Sequence, residues 1–280
     1  MLAARLGVRR GCIEMMQSLS TRADQIWIIT LNAGFVLVLV FQRDSDLSGT
    51  GLSLALATLP GLIGMNVAMG GWMGTAQTLA VEREDGTLLR AKSTPNGMVG
   101  YLVARVTLAI LSTLLGLVIF IVAGLFLLPG VGDVPLTGWL MLLAIFLLGM
   151  LATMPWGAIV GALVKSSGAG FGLSFLPMVV LIVISGIFYP ITAMPDWLHP
   201  VALVFPVYWL GAGMRDALLP DAAGAAELGG QFHTWETFGV LGLWAVVGLA
   251  IAPRVLRAMA RRESGSAVES RKQAALQAWS

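Results

Sequence analysis

Charged residues divide the chain into long runs that contain no Asp, Glu, Lys or Arg. These runs are 25–42, 47–81, 106–132, 134–164, 166–195, 197–214 and 237–253. A helix that crosses a membrane needs roughly 20 residues, because each residue adds about 1.5 Å against a hydrocarbon layer of about 30 Å. The run 197–214 contains Pro200 and Pro206, and lipid cannot replace the backbone hydrogen bonds that prolines remove. We therefore predict an all-α integral membrane protein with six transmembrane helices and a broken or re-entrant segment at 197–214.

The positions of Lys and Arg predict the orientation of the six spans, because basic residues collect on the cytoplasmic side of a membrane. With the N-terminus inside, six crossings place all but two of the 17 basic residues in the cytoplasm and leave Arg43 and Arg215 outside. A seventh crossing would move the basic residues of the C-terminal tail outside. We therefore expect a multi-pass protein with both termini in the cytoplasm.

Composition excludes several other classes of protein. Charged residues make up 11% of the chain, less than half of the roughly 25% that a soluble domain carries. The formal net charge of +2 provides no basic surface for nucleic acid. The single cysteine, Cys12, excludes an intramolecular disulfide framework, and the two histidines, His199 and His233, leave little material for a metal centre. Neither histidine lies in a predicted span and no hydrolase motif occurs, so no catalytic or metal-binding residue is predicted.

The two ends of the chain differ from the spans. Residues 1–23 place five apolar residues near one another at helical spacing, namely Leu2, Leu6, Ile13, Met16 and Leu19. Arg5, Arg9 and Arg10 lie between them, which predicts a cytoplasmic amphipathic helix on the inner leaflet; a solvated leader is the alternative. Residues 24–260 form the predicted transmembrane domain, and the polar tail 261–280 is expected to remain cytoplasmic and largely disordered.

The most charge-dense stretch of the sequence connects the second and third predicted spans. Residues 81–95 read Val-Glu-Arg-Glu-Asp-Gly-Thr-Leu-Leu-Arg-Ala-Lys-Ser-Thr-Pro. Gly86 tolerates a positive φ after the acidic cluster. Asp85 or Thr87 can cap a helix over 88–93, which Pro95 ends. We predict a short polar helix at the membrane surface that transmits movement between two spans; an ordinary solvated loop is the alternative.

This stretch resembles the cytoplasmic motif of ABC-2-type exporter permeases, commonly Glu-Arg-Glu-x-Gly-Thr-Leu-x-x-Leu-x-x-(Ser/Thr)-Pro. A departure is Ala91-Lys92, where the family more often has Leu-Leu. The resemblance implies a coupling helix that seats in a cleft of a separate ATPase subunit. It assigns ATPase coupling to Glu82, Arg83, Glu84, Gly86, Thr87, Leu88, Arg90 and Pro95.

A second long connection precedes the last predicted span and contains several prolines and aromatic residues. Its prolines forbid a continuous helix, and four aromatic side chains suit a membrane–water interface: Tyr189, Trp197, Tyr208 and Trp209. Arg215 is expected to form an ion pair with the adjacent Asp216.

The same connection resembles the ABC-2 pattern Ser-Gly-x-x-(Phe/Tyr)-Pro followed by Pro-x-Trp-(Leu/Ile). In that family these residues form two short helices that dip into the outer leaflet. The resemblance implies re-entrant extracellular helices with a gate role, carried by Phe188, Tyr189, Pro190, Pro195, Trp197, Pro206, Tyr208 and Arg215. Aromatic anchoring without a transport role is the alternative.

The source of energy is predicted to lie outside this chain. No Gly-x-x-x-x-Gly-Lys-(Ser/Thr) loop occurs, so the chain has no Walker A site for nucleotide phosphates. The resemblance implies that the chain itself binds no cofactor and that ATP and Mg are held by two copies of a partner ATPase subunit. Charges are also missing from the centres of the predicted spans, where proton-coupled carriers need them. This absence favours a path for apolar or amphipathic cargo.

The combined expectation is a permease subunit of an ATP-driven exporter for drugs, antibiotics or lipids, resembling the daunorubicin-resistance-like drug efflux subgroup. We expect it to pair with a second, identical or similar permease in a bacterial plasma membrane and to bind no nucleic acid. The alternatives are a permease that exports polysaccharide or teichoic acid, and a non-transporting membrane scaffold that docks an ATPase.

Overall fold

A computed structural model of the chain describes residues 2–45, 53–94, 96–164, 166–188 and 191–262. Within these ranges the regular structure is helical, as the sequence predicts. The α-helices are α1 (Leu2–Ser20), α2 (Arg22–Gln42), α3 (Leu54–Ala68), α4 (Thr75–Glu84), α5 (Thr87–Lys92), α6 (Gly97–Leu127), α7 (Leu136–Leu163), α8 (Ser167–Ile184), α9 (Leu198–Val204), α10 (Pro206–Leu218) and α11 (Thr234–Arg262).

Five helical segments of the described chain are long and apolar enough to cross a membrane. They are Arg22–Gln42, Leu54–Glu84, Gly97–Leu127, Leu136–Leu163 and Thr234–Arg261. The helix in the predicted fifth span is α8, whose apolar part, Gly168–Ile184, is shorter. The multi-pass architecture is therefore confirmed, and the sixth crossing stays a prediction.

The second span is a composite helix. Its two α-helical parts, α3 and α4, are joined by a π-helical turn over Met69–Gly74. A Cβ added at Gly70 would lie 2.1 Å from Oγ1 of Thr113 in α6, and one added at Gly71 would lie 1.9 Å from Oγ1 of Thr153 in α7. The two glycines thus let neighbouring helices approach the turn from two sides.

Helix α10 lies at the centre of the main apolar core, where it packs on α3, α7 and α11. The backbones of α10 and α3 cross in close contact. A Cβ added at Gly64 would lie only 2.9 Å from the backbone nitrogen of Gly211. Tyr208 and Trp209 are only 1% and 6% exposed. The prediction that these two aromatic residues lie at the membrane–water interface is therefore wrong, because α10 is enclosed by other helices. Trp197, in contrast, is 70% exposed.

Helix α1 confirms the predicted N-terminal helix and lies along the first turns of α6. A Cβ added at Gly7 would lie 2.5 Å from the carbonyl oxygen of Gly100, and one added at Gly11 would lie 2.7 Å from that of Ala104. The small residues of α1 therefore face α6, and the predicted apolar residues face away from it. The predicted tail falls outside the described residues from position 263 onward.

The close crossing of α3 and α10 makes Gly64 sensitive to any side chain. We expect Gly64→Ala to destabilise the protein by about 1–3 kcal/mol, because the added methyl group meets backbone atoms that cannot rotate away. Thermal unfolding in detergent measures the difference. The matched control is Gly34→Ala in α2, where nothing lies within 4 Å of the added Cβ. Equal unfolding temperatures for the two variants would contradict the assigned crossing.

Candidate functional site

The segment of residues 82–94, here named the coupling segment, begins with a sharp turn between α4 and α5. Gly86 has φ 76° at this turn, a conformation that costs glycine little. One carboxylate oxygen of Asp85 accepts a hydrogen bond from the backbone N–H of Thr87 at 2.8 Å. The predicted turn and the short helix are confirmed, but the N-cap of α5 is Gly86 and not Asp85 or Thr87. Pro95 lies outside the described residues, and α5 ends before it at Lys92.

The carboxylate of Glu82 points into the protein and connects α4 to α6. Glu82 is 8% exposed. Its Oε2 accepts a hydrogen bond from the Tyr101 hydroxyl at 2.6 Å, and its Oε1 lies 2.9 Å from Nη1 of Arg105. These are charge-assisted contacts, which are stronger than neutral hydrogen bonds. Glu82 is therefore an internal link between two helices.

The guanidinium of Arg105 extends this link to α1. Its Nη2 pairs with Oε2 of Glu14, and Oε1 of Glu14 pairs with Nε of Arg10 at 2.7 Å. Arg105 thus lies between carboxylates from two helices, Glu14 in α1 and Glu82 in α4. The result is a polar network of α1, α4 and α6, whose members are Arg10, Glu14, Glu82, Tyr101 and Arg105.

Two further cations attach the coupling segment to the ends of other helices. Nη1 of Arg83 donates to carbonyl oxygens at the C-terminal end of α7, at 3.0 Å to Gly161, 2.8 Å to Ala162 and 2.8 Å to Val164. Nζ of Lys92 donates to the carbonyl oxygen of Ala260 near the end of α11, at 2.7 Å. Cations are favoured at these positions because the last carbonyl groups of a helix carry partial negative charge.

The short helix α5 is also held by an apolar contact. Leu88 is 3% exposed and belongs to a small apolar cluster separate from the main core. The other buried members come from α4, α6, α7 and α11, and they are Leu79, Tyr101, Ala162 and Met259. A displacement of α5 must therefore disturb four longer helices.

The opposite side of the coupling segment is open to the surroundings. Glu84 and Thr87 are half-buried, whereas Asp85, Arg90, Ser93 and Thr94 are exposed. Nη2 of Arg90 donates to the Thr87 hydroxyl at 3.3 Å. The segment thus combines an attached inner side with an exposed, polar outer side.

A second polar network lies around α10. Both carboxylate oxygens of Glu227 contact the guanidinium of Arg215, with 3.2 Å between Nη2 and Oε2. Nη1 of Arg215 also donates to the carbonyl oxygen of Gly186, which follows α8, at 3.1 Å. The Tyr208 hydroxyl donates to Oε2 of Glu227 at 3.4 Å. This buried group ties α10 to the end of α8 and to the connection before α11.

The predicted pairing of Arg215 with Asp216 is wrong. Adjacent residues of a helix point in different directions, and the Asp216 carboxylate instead accepts a hydrogen bond from the hydroxyl of Thr234, the first residue of α11. Burial raises the pKa of the Asp216 carboxyl, and this hydrogen bond acts in the opposite direction. Glu227, the actual partner of Arg215, belongs to no motif.

The remaining residues predicted for this region are spread over its surface and interior. Pro206 is buried at the first position of α10, Phe188 is 37% exposed, and Pro195 and Trp197 are exposed. Tyr189 and Pro190 lie outside the described residues. The broken segment is confirmed as the two short helices α9 and α10. Its depth in a membrane stays a prediction.

Sequence reasoning missed three members of the first network, although two carried a signal. Glu14 is the only acidic residue among the first 23, and Arg105 is the last charge before a long neutral run. Tyr101 carried no such signal. Among the described residues, no group of three or more His, Cys, Asp or Glu side chains is arranged to hold a metal ion.

Comparison with known protein families identifies the family of this chain. The sequence model of the ABC-2 family transporter protein matches residues 25–253, a range that includes the coupling segment and the two short helices α9 and α10. The chain belongs to the ABC-2 transporter family and is the membrane component of an ABC transporter. Permeases of this family typically work with a separate ATPase subunit. No curated protein matches the chain at a significant level.

The pair between Arg215 and Glu227 provides a direct test of the second network. We expect Glu227→Gln to cost roughly 3–5 kcal/mol of stability, because it leaves a buried guanidinium without a counter-charge. Thermal unfolding measures the loss, and Arg215→Gln combined with Glu227→Gln should recover part of it. Glu236→Gln is the matched control, since that side chain is 57% exposed. A Glu227→Gln variant as stable as this control would contradict the assigned pair.

Proposed function

We propose that the chain is the permease subunit of an ATP-driven exporter that moves lipophilic or amphipathic compounds out of the cell. One observation carries this proposal. The coupling segment is attached on its inner side to α6, α7 and α11 by Glu82, Arg83 and Lys92, and it is exposed on its outer side. Such an element is suited to receive a force and distribute it among membrane helices.

The ATPase would bind the exposed side of the coupling segment, with Asp85 and Arg90 as its charged contacts. ATP and Mg would be held in that partner, which supplies the energy of hydrolysis. Movement of α5 would then displace α7 through Arg83, α11 through Lys92 and α6 through Glu82. Two ATPase subunits and two permease subunits, identical or similar, would complete the assembly.

The second span would contribute the surface that contacts amphipathic cargo. Met69 and Met73 are half-buried and Gly74 is exposed there. Methionine adapts to ligands of different shape. Along the same span, buried polar atoms lack a hydrogen-bond partner among the described residues, namely Asn66 Oδ1, Trp72 Nε1, Thr75 Oγ1 and Gln77 Oε1. Unpaired buried polar atoms are costly, and a polar group of the cargo would reach and satisfy them only when the helices packed around the second span separate.

The helices α9 and α10 would form the gate on the outer side of the membrane. The Arg215–Glu227 pair holds α10 against the end of α8, so opening requires that α8 and α10 move together or separate at this contact. In the proposed orientation, both termini and the coupling segment lie in the cytoplasm of a bacterial cell.

Transport by reconstituted vesicles tests the proposal. The chain, together with the ATPase that co-purifies with it, should accumulate a lipophilic dye in inside-out vesicles when ATP is present. Arg90→Glu should reduce ATPase co-purification and dye transport by at least about tenfold, since a charge reversal at the centre of an interface costs more than ~1.4 kcal/mol. Arg43→Glu, an exposed charge reversal outside the coupling segment, is the matched control.

The outcomes of this experiment separate the candidate functions. ATP hydrolysis without dye movement would contradict the exporter and favour the scaffold. Normal co-purification of Arg90→Glu with the ATPase would contradict docking on the exposed side of the coupling segment. An unchanged unfolding temperature of Arg90→Glu confirms that the fold is intact.

Cysteine labelling tests the orientation. The Cys12→Ser variant contains no cysteine, so one can be introduced at a chosen position. Ser93 and Asp221 are suitable positions because both are exposed. We expect an impermeant maleimide to label Asp221→Cys in intact cells and Ser93→Cys only after the cells are opened. The reverse pattern would contradict the assigned topology.

A further inference from the structure

Helix α1 has two faces with opposite surroundings. Its inner face, with Gly7, Gly11 and Met15, is buried against α6. Its outer face carries exposed apolar side chains, namely Leu2 (73% exposed), Leu6 (54%), Ile13 (45%) and Met16 (68%). Packing on α6 therefore leaves an apolar stripe of α1, interrupted at Arg9, without a partner in the described chain, and such a stripe indicates an interaction surface.

Two arginines belong to the same outer surface. Arg5 and Arg9 are exposed, and neither forms an ion pair with any described residue, whereas Arg10 pairs with Glu14. Arg5 and Arg9 flank Leu6 along the helix and lie one turn apart. The outer face of α1 is thus apolar along its length and positively charged in its first half.

The position of α1 in the chain restricts what can cover this face. Only Thr21 separates α1 from α2, and α2 is one of the candidate membrane spans. The C-terminal end of α1 must therefore lie close to the membrane surface, on the side where α2 begins. Parallel pairing with a second copy of α1 is unfavourable, because it brings the arginine side chains of the two equal faces together.

We propose that the outer face of α1 binds anionic phospholipids, with Arg5 and Arg9 at the headgroup phosphates and the apolar stripe among the acyl chains. Each arginine near an anionic lipid surface contributes favourably, and the apolar side chains add contact area. This inference rests on the proposed function only in placing α1 at the cytoplasmic leaflet.

The bound lipid would act on the coupling segment through the first polar network. Glu14 lies on the inner side of α1 and pairs with Arg105, which pairs with Glu82 at the start of the coupling segment. Lipid that holds α1 in place therefore stabilises the position of Glu82. The permease would couple best in a membrane that contains anionic lipid.

Cys12 offers a built-in probe, since it is the only cysteine of the chain and is exposed on α1. A fluorophore on Cys12 is followed in vesicles that contain either nitroxide-labelled phosphatidylglycerol or nitroxide-labelled phosphatidylcholine, with the full chain and its ATPase reconstituted. We expect stronger quenching by phosphatidylglycerol. Arg5→Gln and Arg9→Gln should each reduce this preference by roughly fivefold, and Arg43→Gln should leave it unchanged.

Each outcome has a defined meaning. Equal quenching by both lipids would overturn the proposed headgroup recognition. Absence of quenching by either lipid would also overturn it and indicate that α1 contacts the ATPase or a second copy. Transport by the unaltered chain should be faster in vesicles with phosphatidylglycerol than in vesicles with phosphatidylcholine. Glu14→Gln should keep the quenching preference but abolish this difference in transport rate; retention of the difference would overturn the link to the coupling segment. The quenching is independent of transport, so failure of the exporter function would leave it unaffected.

Discussion

The geometry of the coupling segment depends on one guanidinium group, that of Arg105. Two carboxylates from different helices, Glu14 and Glu82, approach this group from two sides, and the Tyr101 hydroxyl adds a hydrogen bond to Glu82. The guanidinium carbon also lies 5.9 Å from the centre of the Tyr101 ring. Without the cation, two partly buried negative charges would face each other at low effective dielectric, where like charges repel strongly. The charged connection between α1 and the start of the coupling segment therefore depends on Arg105.

The protein uses different interactions at different depths. Within the long apolar spans, helices meet through glycines such as Gly64 and Gly71, because close backbone contact is the main source of association where lipid is as apolar as the side chains. At the ends of the helices, ion pairs and contacts between cations and carbonyl groups replace it, as Arg83 and Arg215 illustrate. These polar contacts are directional. They therefore fix which helix ends move together, whereas the glycine contacts fix only how closely the helices approach.

Local features were predictable from the sequence, and long-range partners were not. Neutral runs located the long helices, but α6 begins at Gly97, before the neutral run that starts at 106, because a helix continues past its charged residues once it leaves the lipid. The turn at Gly86 was predictable because it depends on one residue's backbone freedom. The partner of Arg215 was misassigned to its neighbour, since no sequence pattern marks Glu227. The arrangement around Glu82 likewise joins residues from three helices, and its geometry exists only after those helices pack.

The last helix, α11, has a polar contact with another part of the chain near each of its ends. At one end of α11, Thr234 bonds to Asp216, and near the other end the carbonyl of Ala260 accepts the bond from Lys92. Because each residue turns an α-helix by about 100°, the two contacts occur together only when the number of residues between them gives the correct rotational phase. Insertion of one residue into α11 would turn one contact away while the other is kept, whereas changes of whole turns preserve both directions. The length of α11 is thus constrained by helical phase as well as by membrane thickness.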